Sequence, residues 1–165
     1  MSLTSLLGNG IGIELSRTEE PFTMDHSMEF QAQALTRGLS QEAAQRSLFK
    51  WMANNIDYDR SEGDYRNARE VFRDMQGICA SMTYLYIAMA RFVGIPAKLA
   101  RVYVDFDGFE VNHGCIHLPK NVLTDLVIPM YDCHHQRYEV WTDAQVIENF
   151  EAYRGNQPPL EMRHR

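Results

Sequence analysis

The chain has 165 residues, of which 45% are hydrophobic and 23% charged, and its formal net charge is −6. This length fits one domain that buries a single core, and the composition excludes an intrinsically disordered chain. The acidic balance and the absence of a Lys/Arg cluster argue against a nucleic-acid partner. No apolar run reaches the roughly eighteen residues of a membrane span, so we expect no membrane association.

The N-terminus and the cysteines indicate the compartment. The first residues lack a basic segment followed by a sustained apolar one, so they do not resemble a secretory signal. The three cysteines, Cys79, Cys115 and Cys133, are too few for a disulfide framework. We therefore expect free thiols and a cytoplasmic protein.

The first predicted helix follows an N-terminal arm and lead-in segment, residues 1–39. Ser40 is a good N-cap, and apolar residues then recur at helical spacing through Leu48 and Met52 to about Asn55. This pattern predicts an amphipathic helix.

Two more helices follow a polar loop over residues 57–65. Asn67 and Glu70 resemble a capping box and predict a short helix that stops at Gly77. A third helix is predicted from about Cys79 to Phe92. It is apolar nearly all round, so it belongs in the middle of the fold.

Alternation with period two begins after the third helix. It predicts a strand to Phe106, a two-residue turn at Asp107-Gly108, and a return strand from Phe109 to about Leu118. After a loop over 119–124, further strands are predicted near 126–132 and 137–141.

Thr142 with Gln145 predicts a last helix to about Tyr153. The predicted fold is an α+β domain in which a central Cys-bearing helix, preceded by other helices, packs on an antiparallel sheet. We expect the core to span 40–155 and a loose tail to follow at 156–165.

Cys79 is the candidate nucleophile. A thiol attacks only as a thiolate, and a helix N-terminus lowers the pKa of a thiol through its unpaired N–H groups and its dipole. Gly77 would allow a close approach of the backbone just before it. A buried, inert cysteine is the competing interpretation.

The hairpin supplies a candidate base. The predicted turn places His113 opposite Val102, on an otherwise apolar face that we expect to pack on the Cys79 helix. The same register puts Cys115 opposite Ala100 and His117 opposite Lys98, farther from the turn. His113 is therefore the better base.

A base histidine needs a third group that fixes its tautomer. Asp132 closes the predicted strand 126–132 and is the expected carboxylate. Asp125 begins the same run, at the other end, and Asp143 is more simply explained as a residue favoured at a helix N-terminus.

These segments resemble the transglutaminase-like superfamily. The resemblance rests on Gln76-Gly77-Ile78-Cys79-Ala80, on the helix end Arg91-Phe92-Val93-Gly94-Ile95-Pro96-Ala97-Lys98, and on Ile56-Asp57-Tyr58 after the preceding helix. It covers roughly residues 40–135.

The resemblance implies that Cys79 is the nucleophile, His113 the base and Asp132 the orienting carboxylate. It also implies a protease, deamidase or transglutaminase that acts through an acyl-enzyme on the amides of a peptide or protein, with no cofactor and no metal. The oxyanion would be held by the backbone N–H of Cys79 and one side chain, for which Trp51, Tyr58 and Gln76 are candidates.

Two alternatives remain. His113, Cys115 and His117 alternate along one strand and could bind zinc, with Cys133, His134 and His135 as further ligand types. The other alternative is a catalytically inactive binding module on the same fold.

Overall fold

The computed structural model describes residues 20–60 and 65–154. The helices in these ranges are α1 (His26–Thr36), α2 (Gln41–Asn55), α3 (Ala68–Asp74), α4 (Cys79–Phe92) and α5 (Asp143–Arg154). The strands are β1 (Asp57–Tyr58), β2 (Gln76–Gly77), β3 (Lys98–Val104), β4 (Glu110–Leu118), β5 (Val122–Asp125), β6 (Met130–Tyr131) and β7 (Arg137–Val140), with a 3-10 turn at Pro119–Asn121. The predicted α+β class is confirmed. Residues 1–19 of the predicted arm and the whole predicted tail, 156–165, lie outside the described residues.

Helix α1 lies in the lead-in segment, where the sequence analysis predicted no element. The Asp25 side chain caps it by accepting the N–H of Met28 at 3.0 Å. Met28 and Ala32 are fully buried, four residues apart, and the helix packs on α2 and α4. The missed signal was an Asp N-cap followed by apolar residues at helical spacing.

The predicted caps of α2 and α3 are confirmed. Ser40 Oγ accepts the N–H of Ala43 at 3.2 Å, and Asn67 Oδ1 accepts the N–H of Glu70 at 2.9 Å. Strands β1 and β2 then pair in parallel and bring the end of α2 beside the start of α4. Two segments of the family resemblance, 56–58 and 76–80, therefore lie side by side next to Cys79.

Helix α4 is the centre of the molecule. All twelve of its residues from Cys79 to Ala90 are buried, as its apolar sequence predicts. The helix ends at Phe92, and Gly94, with a positive φ of 86°, and Pro96 follow it. A helix surrounded on all sides holds its first residue rigidly.

The antiparallel sheet has the strand order β6-β5-β4-β3-β7. The predicted pairings are confirmed in the middle of the hairpin, where Val102 lies opposite His113 and Ala100 opposite Cys115. The turn itself is longer than predicted: Val104 pairs with Glu110, and a bulge shifts the register between Val102 and Val104. The Asp105 N–H donates to Phe109 O at 2.9 Å and closes a three-residue turn. The bulge adds one residue to β4 and cancels the shift, so His113 keeps its partner.

The third predicted strand is displaced. Residues 122–125 form β5, and the apolar run expected to be a strand over 126–132 is instead a turn followed by the short β6. The Asp125 carboxylate accepts the N–H groups of Val127 and Ile128 at 2.9 and 3.3 Å, which folds the chain back after β5. Pro129 also removes a donor that a strand would need.

The two faces of the sheet carry separate cores. Leu99, Ile116 and Leu118 pack with α4 in the main core. Ala100, Val102 and Cys115, on the other face, form a second cluster with Leu123 and Cys133. The prediction that the Val102 face packs on α4 is therefore wrong.

Within the described residues, no helix is long and apolar enough to cross a membrane.

Candidate active site

Cys79 is the first residue of α4, and the backbone just before it, at Gly77, is closely packed. A Cβ placed on Gly77 would lie 3.1 Å from Val71 Cγ2 and 3.2 Å from Ser81 Cβ, so a glycine allows the approach that the sequence analysis predicted. The N-cap residue, Ile78, has no side-chain oxygen and makes no capping hydrogen bond. The positive end of the helix dipole therefore faces Cys79 without a competing side-chain acceptor.

His113 connects Cys79 to a buried carboxylate. Its Nε2 lies 2.6 Å from Asp125 Oδ2, and its ring also shares a hydrogen bond with Cys79. Because Nε2 is bound by the carboxylate, Nδ1 is the nitrogen left for the thiol. Burial lowers the pKa of His113, but the hydrogen bonds and charges of Asp125 and Cys79 outweigh it and raise the pKa to about 10.

Asp125 is held as an anion although its side chain is only 1% exposed. Burial raises the pKa of this carboxyl, but hydrogen bonds from His113, His135 and the backbone of Val127 bring it below its usual range. A buried carboxylate keeps its charge only when donors surround it in this way.

Asp132, the expected carboxylate, is not at this position. It is exposed and follows β6 with a positive φ of 61°, whereas Asp125 ends β5 beside His113. The displaced strand causes the error, because the carboxylate chosen depends on where the strand ends. Asp143 is the first residue of α5, as the sequence interpretation favoured, and forms an ion pair with Arg91 at 2.7 Å.

A second histidine contacts the same carboxylate. His135 Nε2 lies 3.1 Å from Asp125 Oδ2 and 3.4 Å from Cys133 Sγ. The His113 and His135 rings are 5.8 Å apart between centroids and nearly perpendicular. Sequence reasoning named His135 only as a further ligand type, and nothing in the pattern around it indicates this contact.

The zinc set His113, Cys115 and His117 does not assemble. Residues four apart on a strand are roughly 13 Å apart, and His117 instead bonds Asn121 at 2.8 Å. Among the described residues, the group whose donor atoms could share an ion is His113, Asp125 and His135, within 4.8 Å of one another. Hydrogen bonds between these residues already account for that proximity.

The other two cysteines differ from Cys79 in their surroundings. All three cysteines lie in the described ranges, and none forms a disulfide. Burial raises the pKa of Cys115 well above its usual value and, together with the charge of Asp125, raises that of Cys133 to about 11. Neither thiol is placed to ionise near neutral pH.

Two cavities meet at His113 and Asn112. The one beside Cys79 has a volume of about 20 Å³, and its walls include Tyr65, Trp141 and Asn149. That volume holds about one water molecule, and Cys79 is only 4% exposed. A peptide amide therefore reaches the sulfur only if these walls move.

The second cavity is larger, about 400 Å³, and also borders His113. Its lining residues are Tyr58, Asp105, Phe106, Glu110, Val111, Asn112, His113, Asp125, Val127, Ile128 and His135. This space is large enough for a substrate side chain or an attacking small molecule beside the imidazole.

The oxyanion candidates separate by position. Tyr58 lines the large cavity. Trp51 instead stacks on Phe72 with ring centroids 6.0 Å apart. Gln76 lies in β2 and pairs with Asp57 of β1. Neither Trp51 nor Gln76 lines either of the two cavities.

Sequence reasoning missed the wall residues Tyr65 and Asn149. Asn149 Nδ2 donates to Tyr65 Oη at 3.0 Å, across eighty-four positions of the chain. No local pattern encodes a contact between a loop end and α5, so only the tertiary structure reveals it.

Comparisons with known proteins agree with the fold. A candidate cysteine protease from Cytophaga hutchinsonii matches with a TM-score of 0.52 and 12% identity, over 74% of this chain and 52% of that one. A candidate protease from Parabacteroides distasonis matches with a TM-score of 0.46 and 13% identity, over 66% of this chain and 28% of that one. The chain thus spans about half the length of the first neighbour and less of the second.

No curated protein sequence matches the chain. The family model of the transglutaminase-like superfamily matches residues 29–148, which include Cys79, His113, Asp125 and all the elements from α2 to β7. The chain belongs to the transglutaminase-like superfamily.

Proposed function

We propose that the protein is a cysteine-dependent amide hydrolase or acyltransferase acting on peptide or glutamine amides. The observation that carries the proposal is the hydrogen-bonded series Cys79–His113–Asp125 at the start of a buried helix. A nucleophile, a base and a group that orients the base are the parts that acyl transfer through a thiol requires.

The first half of the reaction uses Cys79 and His113. The thiol proton moves to His113, and the thiolate attacks the amide carbonyl carbon. The resulting oxyanion lies at the start of α4, where N–H groups of the first turn can donate to it. The imidazolium then protonates the leaving nitrogen, the C–N bond breaks, and an amine or ammonia departs from the thioester.

The second half needs an acceptor that approaches the thioester beside His113 Nδ1, the nitrogen not bound by Asp125. Water or an amine loses its proton to the imidazole as it attacks the thioester carbonyl, and Cys79 leaves as thiolate. Asp125 stabilises the imidazolium in both halves.

The experiment is alkylation of the native protein with iodoacetamide at a series of pH values, followed by peptide mass spectrometry. The thiolate fraction of an ordinary cysteine falls about tenfold for each pH unit below its pKa. We expect Cys79 to react at pH 6 at least about tenfold faster than Cys115 or Cys133, and this advantage to vanish in His113→Ala.

The small cavity beside Cys79 requires a second variant, because slow labelling could reflect burial rather than a protonated thiol. Trp141→Ala opens one wall of that cavity. Faster labelling of Cys79 in this variant, still dependent on His113, supports the pair. Equal, slow labelling of all three cysteines in both proteins would show an inert thiol and favour the binding module.

The amide chemistry is tested with a mixed peptide pool. Ammonia release, peptide-bond cleavage and incorporation of an added primary amine are measured together, with Cys79→Ser as the control. At least one activity is expected to require Cys79. A reactive Cys79 without any of the three would contradict the amide substrate.

A further inference from the structure

The Asp125 carboxylate uses one oxygen for two histidines. Oδ2 lies 2.6 Å from His113 Nε2 and 3.1 Å from His135 Nε2, while Oδ1 accepts from the backbone of Val127 and Ile128. The carboxylate oxygen only accepts, so each imidazole donates an N–H to it. Orienting one base histidine requires a single donor, so the second needs an explanation of its own.

His135 occupies a costly position for a residue that only fills space. Its side chain is 2% exposed, and within the described part of the chain its Nδ1 has no hydrogen-bond partner. An unpaired buried polar group destabilises the folded state. Its neighbours on the other sides are apolar or weakly polar, including Phe106, with ring centroids 5.9 Å apart, and Cys133. An apolar side chain would avoid that cost, so the contact with Asp125 is the feature that distinguishes histidine here.

We propose that His135 is a positioning residue that acts through Asp125. By taking a share of Oδ2, it fixes that oxygen beside His113 and limits how strongly the carboxylate attracts the His113 proton. This inference rests on the proposed function, since it concerns the same base.

The limit matters because His113 must release its proton as well as accept it. An imidazolium bound too tightly by Asp125 would protonate the leaving nitrogen poorly and would remain charged when the acceptor needs a base. A second donor on Oδ2 stabilises part of the negative charge of Asp125, so the carboxylate attracts the His113 imidazolium less strongly.

The groups that surround this pair define the titration. His113 faces Cys79 of α4 and Asp125 of β5, and in the large cavity it lies near Tyr58, Asp105 and Glu110. Asp125 in turn faces His135 from the segment before β7, and the thiols of Cys115 and Cys133 lie close enough to interact with its charge. Removing the His135 donor should therefore raise the titration midpoint of His113, because it leaves Asp125 uncompensated.

The test compares the wild type with four variants by NMR with 15N-labelled histidine, which requires no substrate, and uses a fifth variant for assignment. The His113 signal is assigned by its absence in His113→Gln. His135→Phe removes the donor at similar volume, and His135→Asn shortens the side chain so that its amide does not reach Oδ2. His135→Gln keeps an N–H near the original place, and His134→Gln changes the exposed neighbour as the matched control.

We expect the His113 midpoint to rise by about half to one unit in His135→Phe and His135→Asn, and to return to within about 0.2 unit of the wild type in His135→Gln. A midpoint that stays or falls in the first two variants would overturn the proposal. So would stoichiometric zinc in protein purified without added metal, because the two Nε2 atoms would then be ligands rather than donors.

Cys79 alkylation measured on the same proteins separates this proposal from the proposed function. If Cys79 is inert in the wild type while the His113 midpoints shift as expected, the enzyme proposal fails and the positioning contact stands. If Cys79 is reactive and the midpoints do not move, only the role of His135 is lost. Equal melting temperatures for His135→Asn and His135→Gln would exclude a general loss of packing as the cause.

Discussion

Four donors converge on the Asp125 side chain: two imidazoles on one oxygen and two backbone amides on the other. The backbone pair shapes the turn after β5, and the imidazole pair joins that turn to β4 and to the segment before β7. One residue therefore sets both the local chain path and the orientation of the candidate base.

Replacing this carboxylate tests its role. In Asp125→Asn the amide cannot accept from His113 as the carboxylate does, so the imidazolium loses its partner and the ring is free to adopt the wrong tautomer. In a serine protease triad the same change costs about 10⁴-fold in turnover. We expect Cys79 alkylation at pH 6 to fall by at least about tenfold, and any Cys79-dependent amide activity to fall by 10²- to roughly 10⁴-fold.

The matched control for this change is Asp132→Asn. Asp132 is exposed and is the carboxylate that the sequence alone favours. Its alkylation profile should equal that of the wild type. Loss of reactivity in Asp132→Asn, with Asp125→Asn unaffected, would show that the carboxylate that orients His113 in solution is not the one in this structure.

At the scale of elements, the sequence predicted the helices and the strand pairing better than it predicted the turns. The cap at Ser40, the apolar period of α4 and the pairing of Val102 with His113 are all local or nearly local signals, and all are confirmed. The pairing survived a wrong turn only because one extra residue in β4, opposite the segment between Val102 and Val104, compensated for the extra residue in the turn. Agreement at His113 therefore depended on two irregularities that alternation does not encode.

The third strand could not be placed by hydrophobicity. The run from Leu126 to Tyr131 is apolar, yet Asp125 turns the chain by accepting the N–H groups of two following residues. Hydrogen bonds of this kind from an Asp side chain to the backbone compete with the hydrogen bonds of a β-sheet and favour a turn. Pro129 was the one signal in the sequence against a strand here, because proline cannot donate to a neighbouring strand. No sequence signal predicted the contacts of His135 and Asn149, since they join elements distant in sequence.

Two glycines at the candidate active site permit a matched test at the scale of elements. A Cβ on Gly77 would meet Val71 and Ser81 at 3.1 and 3.2 Å, whereas a Cβ on Gly114 would lie 3.8 Å from the nearest atom, Ala80 Cα. Gly77→Ala should force β2 away from α4, cost about 1–3 kcal/mol as overpacking does, and slow Cys79 alkylation at pH 6.

Gly114→Ala is the control, because the same added methyl group makes only ordinary van der Waals contact there. Its stability and Cys79 reactivity should stay close to the wild type, as measured by urea unfolding and by alkylation. Equal effects of the two substitutions would mean that the entry to α4 is not the tight point that the structure indicates.

At the scale of the whole molecule, the candidate active site joins the two cores. Cys79 belongs to the helix in the main core, while His113 lies opposite Val102, which is in the second cluster. Arg91 ties the end of α4 to α5 through Asp143 at 2.7 Å, and α5 supplies Asn149 to the wall beside Cys79. The same contacts that position the reacting groups therefore contribute to folding.

Folding and protonation are linked at this point with opposite signs. The pKa of His113 is raised to about 10 from 6.5, so its contribution to stability is complete below about pH 6.5 and is lost as the pH rises through about 10. The pKa of Asp125 is depressed, so its contribution is present above about pH 4 and is lost as the pH falls through the lower folded value.

Urea unfolding at pH 5.5 and pH 9 tests this link on wild-type protein and His113→Gln. Because His113 is only 16% exposed, the wild type should lose up to roughly 3 kcal/mol more than the variant between the two pH values. Ionisation of the unfolded thiols of Cys115 and Cys133 also destabilises the protein near pH 9, but it affects both proteins equally and cancels in the difference. If the two proteins lost the same free energy, the His113 imidazolium would not be stabilised by Asp125 and Cys79 in the folded state, and the thiolate–imidazolium pair would lose its main support.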